Sequence, residues 1–151
     1  MRNVIGIVNY GVAGNIHSVK KALKKAGGNT LDVRKPEDFD LIDKIVVPGV
    51  GSYKDAMQEL ENDGFIELLK KFDGPLLGIC LGMQILYEYS EEGMSEGLGL
   101  MKGRVVKKIP LNIDRFKVPN VGWLNVEWKK ASSLFQNINN EDSPVSLIST
   151  V

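Results

Sequence analysis

A chain of 151 residues is long enough to bury a sizeable core as one domain without disulfides or metal staples. Its 19 basic and 19 acidic side chains leave no net field for nucleic acid or an anionic membrane, so the expected partner is a small molecule or another protein. One cysteine excludes an internal disulfide, one histidine is too few for a zinc motif, and neither a signal peptide nor ~20 consecutive apolar residues is visible, so a cytoplasmic protein is expected.

Residues 4–8 form a short apolar run closed by Asn9-Tyr10-Gly11, which predicts a buried strand. Helical spacing follows over residues 16–25 and stops at Gly27-Gly28. Residues 30–33 predict a second strand, Pro36 marks a polar connection, and residues 44–47 predict a third strand ended by Pro48-Gly49. Between residues 53 and 71 apolar side chains recur at helical spacing, from Ala56 and Met57 to Leu68 and Leu69, with Gly64 expected to divide the helix.

Residues 75–79 predict a fourth strand, and Met83, Ile85, Leu86 and Tyr87 return to helical spacing. Cys80 therefore stands where a strand hands over to a helix. After Gly93 the pattern loosens, and residues 104–109, 118–126 and 145–151 read as extended. Strands alternating with helices predict a single domain built on an open, mostly parallel α/β sheet with helices on both faces.

The strongest chemical signal is Gly78-Ile79-Cys80-Leu81-Gly82, which has the spacing of a nucleophile elbow. Glycines on each side relieve the crowding of a sharp strand-to-helix turn that lifts the central side chain above the sheet edge. Amides at the start of the following helix, and its dipole, would favour a thiolate, which attacks carbonyl carbon as a thiol does not. The same pentapeptide also suits a small cysteine packed among Leu76, Leu77 and Leu81. The second signal, Pro48-Gly49-Val50-Gly51, follows the third strand. Parallel sheets bind ligands beyond the carboxyl ends of their strands, so this loop falls on the edge that carries Cys80 if the two strands are parallel neighbours. Its amides, with that of Leu81, would suit a developing oxyanion, although an ordinary turn would have the same composition.

These motifs occur in one order with Gly14-Asn15, Asp55-Ala56-Met57, the extension of the elbow to Gln84, Gly97-Leu98-Gly99-Leu100, Val118-Pro119 and Gly122-Trp123. In that order, over residues 1 to about 140, the chain resembles the class I, or triad, glutamine amidotransferases, and among them the glutaminase subunits of imidazole glycerol phosphate synthase. The resemblance implies a flavodoxin-like fold and a Cys-His-Glu triad that hydrolyses glutamine through a glutamyl thioester. The ammonia then passes to a barrel-shaped synthase in histidine biosynthesis. No cofactor is implied. Cys80 matches the nucleophile, and the amides of Val50, Gly51 and Leu81 match the oxyanion region. Gln84 and Glu92, on the helix after the elbow, match glutamine-binding positions. Tyr10, Asn15 and Trp123 lie where the family docks its synthase.

The resemblance also sets an expectation of impairment. The family's histidine and glutamate come from a His-Pro-Glu segment in chains of about two hundred residues, and none is present here, so the domain is expected to lack its C-terminal part. His17, on the first helix, is assigned no base role. Asn120 stands where members commonly have histidine, and residues 144–151 lack the family's aromatic and His-Ser pattern. Three other functions stay open: a paralogue feeding ammonia to surface-sugar biosynthesis, a non-catalytic docking subunit, and a flavodoxin-like nucleotide binder resting on Gly11-Val12-Ala13-Gly14.

Overall fold

A computed structural model describes residues 3–106, 120–125, 136 and 144–149. The chain divides into two compact units, Met1–Lys107 and Lys108–Val151. In the first, β1 (Val4–Val8), α1 (Ile16–Lys25), β2 (Asn29–Val33), a 3-10 helix (Pro36–Leu41), β3 (Lys44–Gly49), α2 (Tyr53–Asn62), α3 (Ile66–Lys71) and β4 (Leu76–Cys80) follow one another. The sheet order is β2-β1-β3-β4 and every pairing is parallel. Right-handed crossovers that run one way from β1 to β2 and the other way from β3 to β4 place α1 on one face and α2 with α3 on the opposite face. This is the doubly covered parallel sheet that the alternating pattern predicts.

Local chemistry explains the boundaries. Asn15 caps α1, its side chain accepting from the Ser18 amide at 3.0 Å, while Lys24 and Lys25 sit where the negative end of the helix dipole welcomes cations. Gly27, at φ +85°, then takes the left-handed turn that ends it. Ser52 caps α2, and Gly64 at φ +73° closes it, with Phe65 donating back to the Leu60 carbonyl at 2.8 Å. The divided helix is thus set by one left-handed glycine.

The core lies between the sheet and these helices. Val8, Ile45 and Val47 on the central strands are buried, and Tyr53, Ala56, Leu60, Phe65 and Leu69 join them in one cluster from α2, α3 and the turn between, while Ile7 and Val46, paired in register, are buried on the opposite face. Phe39 of the 3-10 helix packs its ring 5.5 Å from that of Phe65, at 57°.

Beyond Cys80 the structure departs from the expected long helix. α4 (Leu81–Gln84) has four residues, and β5 (Tyr87–Ser90), β6 (Ser95–Glu96) and β7 (Met101–Val105) follow as a sheet ordered β6-β5-β7. The carbonyls of Ile85, Leu86 and Tyr87 accept from Leu98, Met101 and Gly99, at 2.8, 2.9 and 3.1 Å, instead of from residues one helical turn ahead. Tyr-Glu-Tyr-Ser alternates and is rich in aromatic residues, so strand pairing prevails over the short helical pattern. β7 starts earlier than residue 104, and residues 107–109 lie outside the described part. In the second unit β8 (Asn120–Asn125) pairs antiparallel with β9 (Pro144–Ser149), as the two extended segments suggest.

Removing the fully buried Phe65 ring (Phe65→Ala) is expected to cost about 3–5 kcal/mol in denaturant unfolding. Leu41→Ala, at a side chain 46% exposed, is expected to stay within ~0.5 kcal/mol.

Candidate active site

In a parallel sheet all carboxyl ends point to one edge, and here the strand order reverses between β1 and β3, where such sheets open a crevice. The loops after β1 and β3 border that point, and β4 is the next strand. Gly49 at the end of β3 stands in register opposite Cys80 at the end of β4. The glycine loop and the cysteine therefore share one edge.

Cys80 has φ 57° and ψ −119°, a left-handed conformation that costs a residue with a side chain about 1–3 kcal/mol. The bend it makes is too tight for neighbours with side chains. A Cβ on Gly78 would lie 2.5 Å from the Met83 Cα, and one on Gly82 would collide with the carbonyl of Val47. Leu81 and Gly82 are buried behind the bend, whereas Cys80 is an exposed free thiol. This is the nucleophile-elbow arrangement, and it removes the alternative of a cysteine sealed in aliphatic packing. With four residues, α4 offers the sulfur the unpaired amides of a helix start but little cumulative dipole, a smaller electrostatic contribution than the expected long helix would give.

The expected oxyanion residues gather here with one complication. Leu81 occupies the first position of α4, where an amide has no acceptor within the helix. Gly51 is exposed at φ +86°. The Val50 amide, however, donates to the Val12 carbonyl at 3.0 Å, so in this conformation it is turned toward the β1–α1 loop.

Tyr10, expected at a partner surface, is instead a core side chain, 4% exposed, whose hydroxyl donates to the Pro48 carbonyl at 2.9 Å. Burial, and secondly the negative charge at Cys80, push this hydroxyl above its ordinary value of 10.0. Asn15 is exposed and serves α1 as its cap. Trp123 occupies β8, opposite Ser146, in the second unit. Gln84 is buried at the end of α4. Glu92 is not on a helix: it lies exposed in the turn after β5, its amide donating to Ser90 Oγ at 3.1 Å, because the chain has already left helical conformation at Ile85. His17 is exposed on α1.

The sequence marks Gly49 as the end of a strand and part of the glycine loop, and the structure adds that its place is sterically fixed. A Cβ there would lie 2.7 Å from the Tyr10 hydroxyl, 2.9 Å from the Gly82 amide nitrogen and 3.1 Å from the Leu81 Cβ. The Pro-Gly pair marked the position, but the reason for it came from three distant segments. A groove of about 370 Å³ beside α2 and α3, bordered by Met57, Ile66 and Gly97, includes none of the elbow residues. Among the described residues no group of three or more His, Cys, Asp or Glu could hold a metal ion, and no helix is long and apolar enough to cross a membrane.

An elbow cysteine facing a glycine loop on the ligand edge of a parallel sheet is the apparatus of an acyl-transfer enzyme. Residues 7–142 match the family profile described as glutamine amidotransferase class-I, a match that spans both compact units, and the chain belongs to that family. Within it the chain is of the HisH type. It is 44% identical over 144 residues to imidazole glycerol phosphate synthase subunit HisH 1 of Campylobacter jejuni subsp. jejuni serotype O:23/36 (strain 81-176), covering 91% of this chain and 70% of the relative. Identity is 42% over 133 residues to subunit HisH 2 of Parasynechococcus marenigrum (strain WH8102), with coverage of 86% and 61%. The HisH subunit of Sulfurimonas denitrificans is 44% identical over 143 residues, with coverage of 91% and 68%. The chain thus spans between 61% and 70% of the length of these curated relatives.

One titration follows from the core beside the site. The Tyr53 hydroxyl is buried without a hydrogen-bond partner, and burial raises it from 10.0 to about 12. The folded state then holds a proton that the unfolded state releases, so stability is complete below 10.0 and falls as pH rises toward about 12. Chemical denaturation across that window is expected to show the decline, and Tyr53→Phe to flatten it while leaving neutral-pH stability equal or higher, since an unpaired buried hydroxyl is lost.

Proposed function

We propose that this chain is the glutamine-hydrolysing subunit of an imidazole glycerol phosphate synthase, a cytoplasmic protein forming one amidotransferase domain and acting as a heterodimer with a barrel-shaped synthase. The observation that carries the reading is the exposed thiol of Cys80, held in a left-handed bend directly opposite Gly49. The Cys80 sulfur attacks the side-chain carboxamide carbon of glutamine, the carbonyl electrons move to oxygen, and the C–N bond breaks as the nitrogen takes a proton and leaves as ammonia. Water then cleaves the γ-glutamyl thioester, giving glutamate and the free thiol.

The amides of Leu81 and Gly51 receive the developing oxyanion, and Val50 joins them once its peptide turns away from Val12. Gln84 and Glu92 hold the substrate, the Glu92 carboxylate suiting its α-ammonium. Asn15 and Trp123 are assigned to synthase docking by resemblance alone, and the ammonia serves histidine biosynthesis. Proton transfer is the step these residues leave unserved. The sole histidine is His17, exposed on α1, and no base role falls to it.

A γ-glutamyl thioester tests the reading, because its thiolate leaving group needs no general acid. Intact-mass analysis of the 151-residue chain is expected to show one γ-glutamyl adduct, absent in Cys80→Ala and absent with the β-aspartyl thioester, which is one methylene shorter. Turnover of glutamine itself by this chain is expected to be very slow. Alkylation of Cys80 by iodoacetamide without any γ-glutamyl adduct would instead mark a docking subunit, and turnover equal to that of a complete triad enzyme would refute the impairment.

A further inference from the structure

The Tyr10 hydroxyl, in the loop just after β1, holds the end of β3 from a segment distant in sequence. It donates to the Pro48 carbonyl at 2.9 Å, across 38 residues of sequence, from a site that is almost solvent-free. The acceptor belongs to the peptide that joins Pro48 to Gly49, and Gly49 is the residue in register with Cys80. A planar peptide moves only as a unit, so fixing its carbonyl fixes the peptide plane from which the chain enters Gly49, while the next peptide, which carries the Val50 amide, keeps its own rotation about Gly49. The same oxygen of Tyr10 also limits Gly49 sterically, since a Cβ there would approach it to 2.7 Å while approaching the Gly82 amide nitrogen to 2.9 Å on the elbow. Tyr10 is therefore tied to the loop by a hydrogen bond and to the elbow through the single glycine that lies between them.

We propose that Tyr10 is a positioning residue for acyl transfer: its hydroxyl fixes the Pro48–Gly49 peptide and through it the alignment of the loop amides with Cys80. The proposal rests on the glutaminase reading and adds to it a residue that touches neither substrate nor sulfur in its assigned role. Its position in the loop after β1, beside the Pro48 carbonyl, explains why a buried tyrosine, and not an aliphatic residue, stands there. An aliphatic side chain would fill the same volume but leave the Pro48 carbonyl with one donor fewer in a region sheltered from water. The hydroxyl remains a donor throughout the neutral range, since burial and the charge at Cys80 oppose its ionisation.

Tyr10→Phe separates positioning from mere structure, since it keeps the ring and removes only the donor. Two rates are measured on the intact chain: acylation of Cys80 by the γ-glutamyl thioester, which requires oxyanion stabilisation, and alkylation by iodoacetamide, which develops no oxyanion. Acylation is expected to fall roughly five- to tenfold, the effect of one buried hydrogen bond, while alkylation stays within about twofold of the unsubstituted chain. Far-ultraviolet circular dichroism and a cooperative denaturant-unfolding transition of Tyr10→Phe report whether the fold around the ring is retained. Equal losses in both rates, or loss of the cooperative unfolding transition, would reduce Tyr10 to a structural residue and overturn the proposal. Unchanged acylation would overturn it as well, leaving the glutaminase reading intact. Failure of the unsubstituted chain to be acylated would remove both together.

Discussion

The site depends on one close approach: the backbone of the elbow passes so near the end of β3 that Gly82 lies against the Val47 carbonyl and Gly49 against Leu81. No side chain fits between them. A bend this tight forces the intervening residue into the left-handed region, and Cys80 occupies it at φ 57°. The strain, about 1–3 kcal/mol, persists because the residues on the far side of the bend are anchored. Leu81, Ile85 and Leu86 are buried, and burying a leucine or isoleucine side chain contributes about 1.5–3 kcal/mol. Packing downstream thus holds the sulfur in a conformation it would not choose.

The topology supplies the rest of the geometry. Because β1, β3 and β4 are parallel and adjacent, their carboxyl ends bring three separate loops to one edge without any long excursion of the chain. The hydrogen bonds from Tyr10 to Pro48 and from Val50 to Val12 then join the first two loops to each other. What differs between these links is the partner: a side-chain hydroxyl fixes the base of the glycine loop, and a backbone carbonyl holds its tip.

Much of this is legible in the amino-acid sequence. The first three strands and α1 were legible because each is a short apolar or amphipathic run ended by glycine or proline, and such ends are local in origin. Cys80 was legible for a steric reason, since two glycines around a central residue signify a bend that excludes Cβ atoms. The failures have a common cause in non-local contacts. The segment after Gln84 carries a helical pattern, yet its carbonyls are taken by residues 98–101, which no window around Ile85 contains. Glu92 was therefore placed on a helix that does not reach it. Tyr10 was assigned to a surface by resemblance, which transfers position in a sequence but not the environment around it. Its partner lies 38 residues away.

The orientation of Val50 bears on the proposed oxyanion role of its amide. Its amide is satisfied by a neutral carbonyl at Val12, an interaction worth about 0.5–1.5 kcal/mol net, whereas a donor aimed at an ionised acceptor contributes about 1.5–3 kcal/mol. Under the proposed acyl-transfer reading, an oxyanion forming beside Cys80 would compete favourably for that amide, but only as charge developed. Gly49 and Gly51 flank Val50, so the peptides that must rotate are bounded by residues without Cβ atoms, and Gly51 already adopts a positive φ. A donor that engages the transition state and lets go of the ground state lowers the barrier without tightening substrate binding. In that reading the β1–α1 loop, by offering the competing acceptor at Val12, would set how much charge must build before the amide turned.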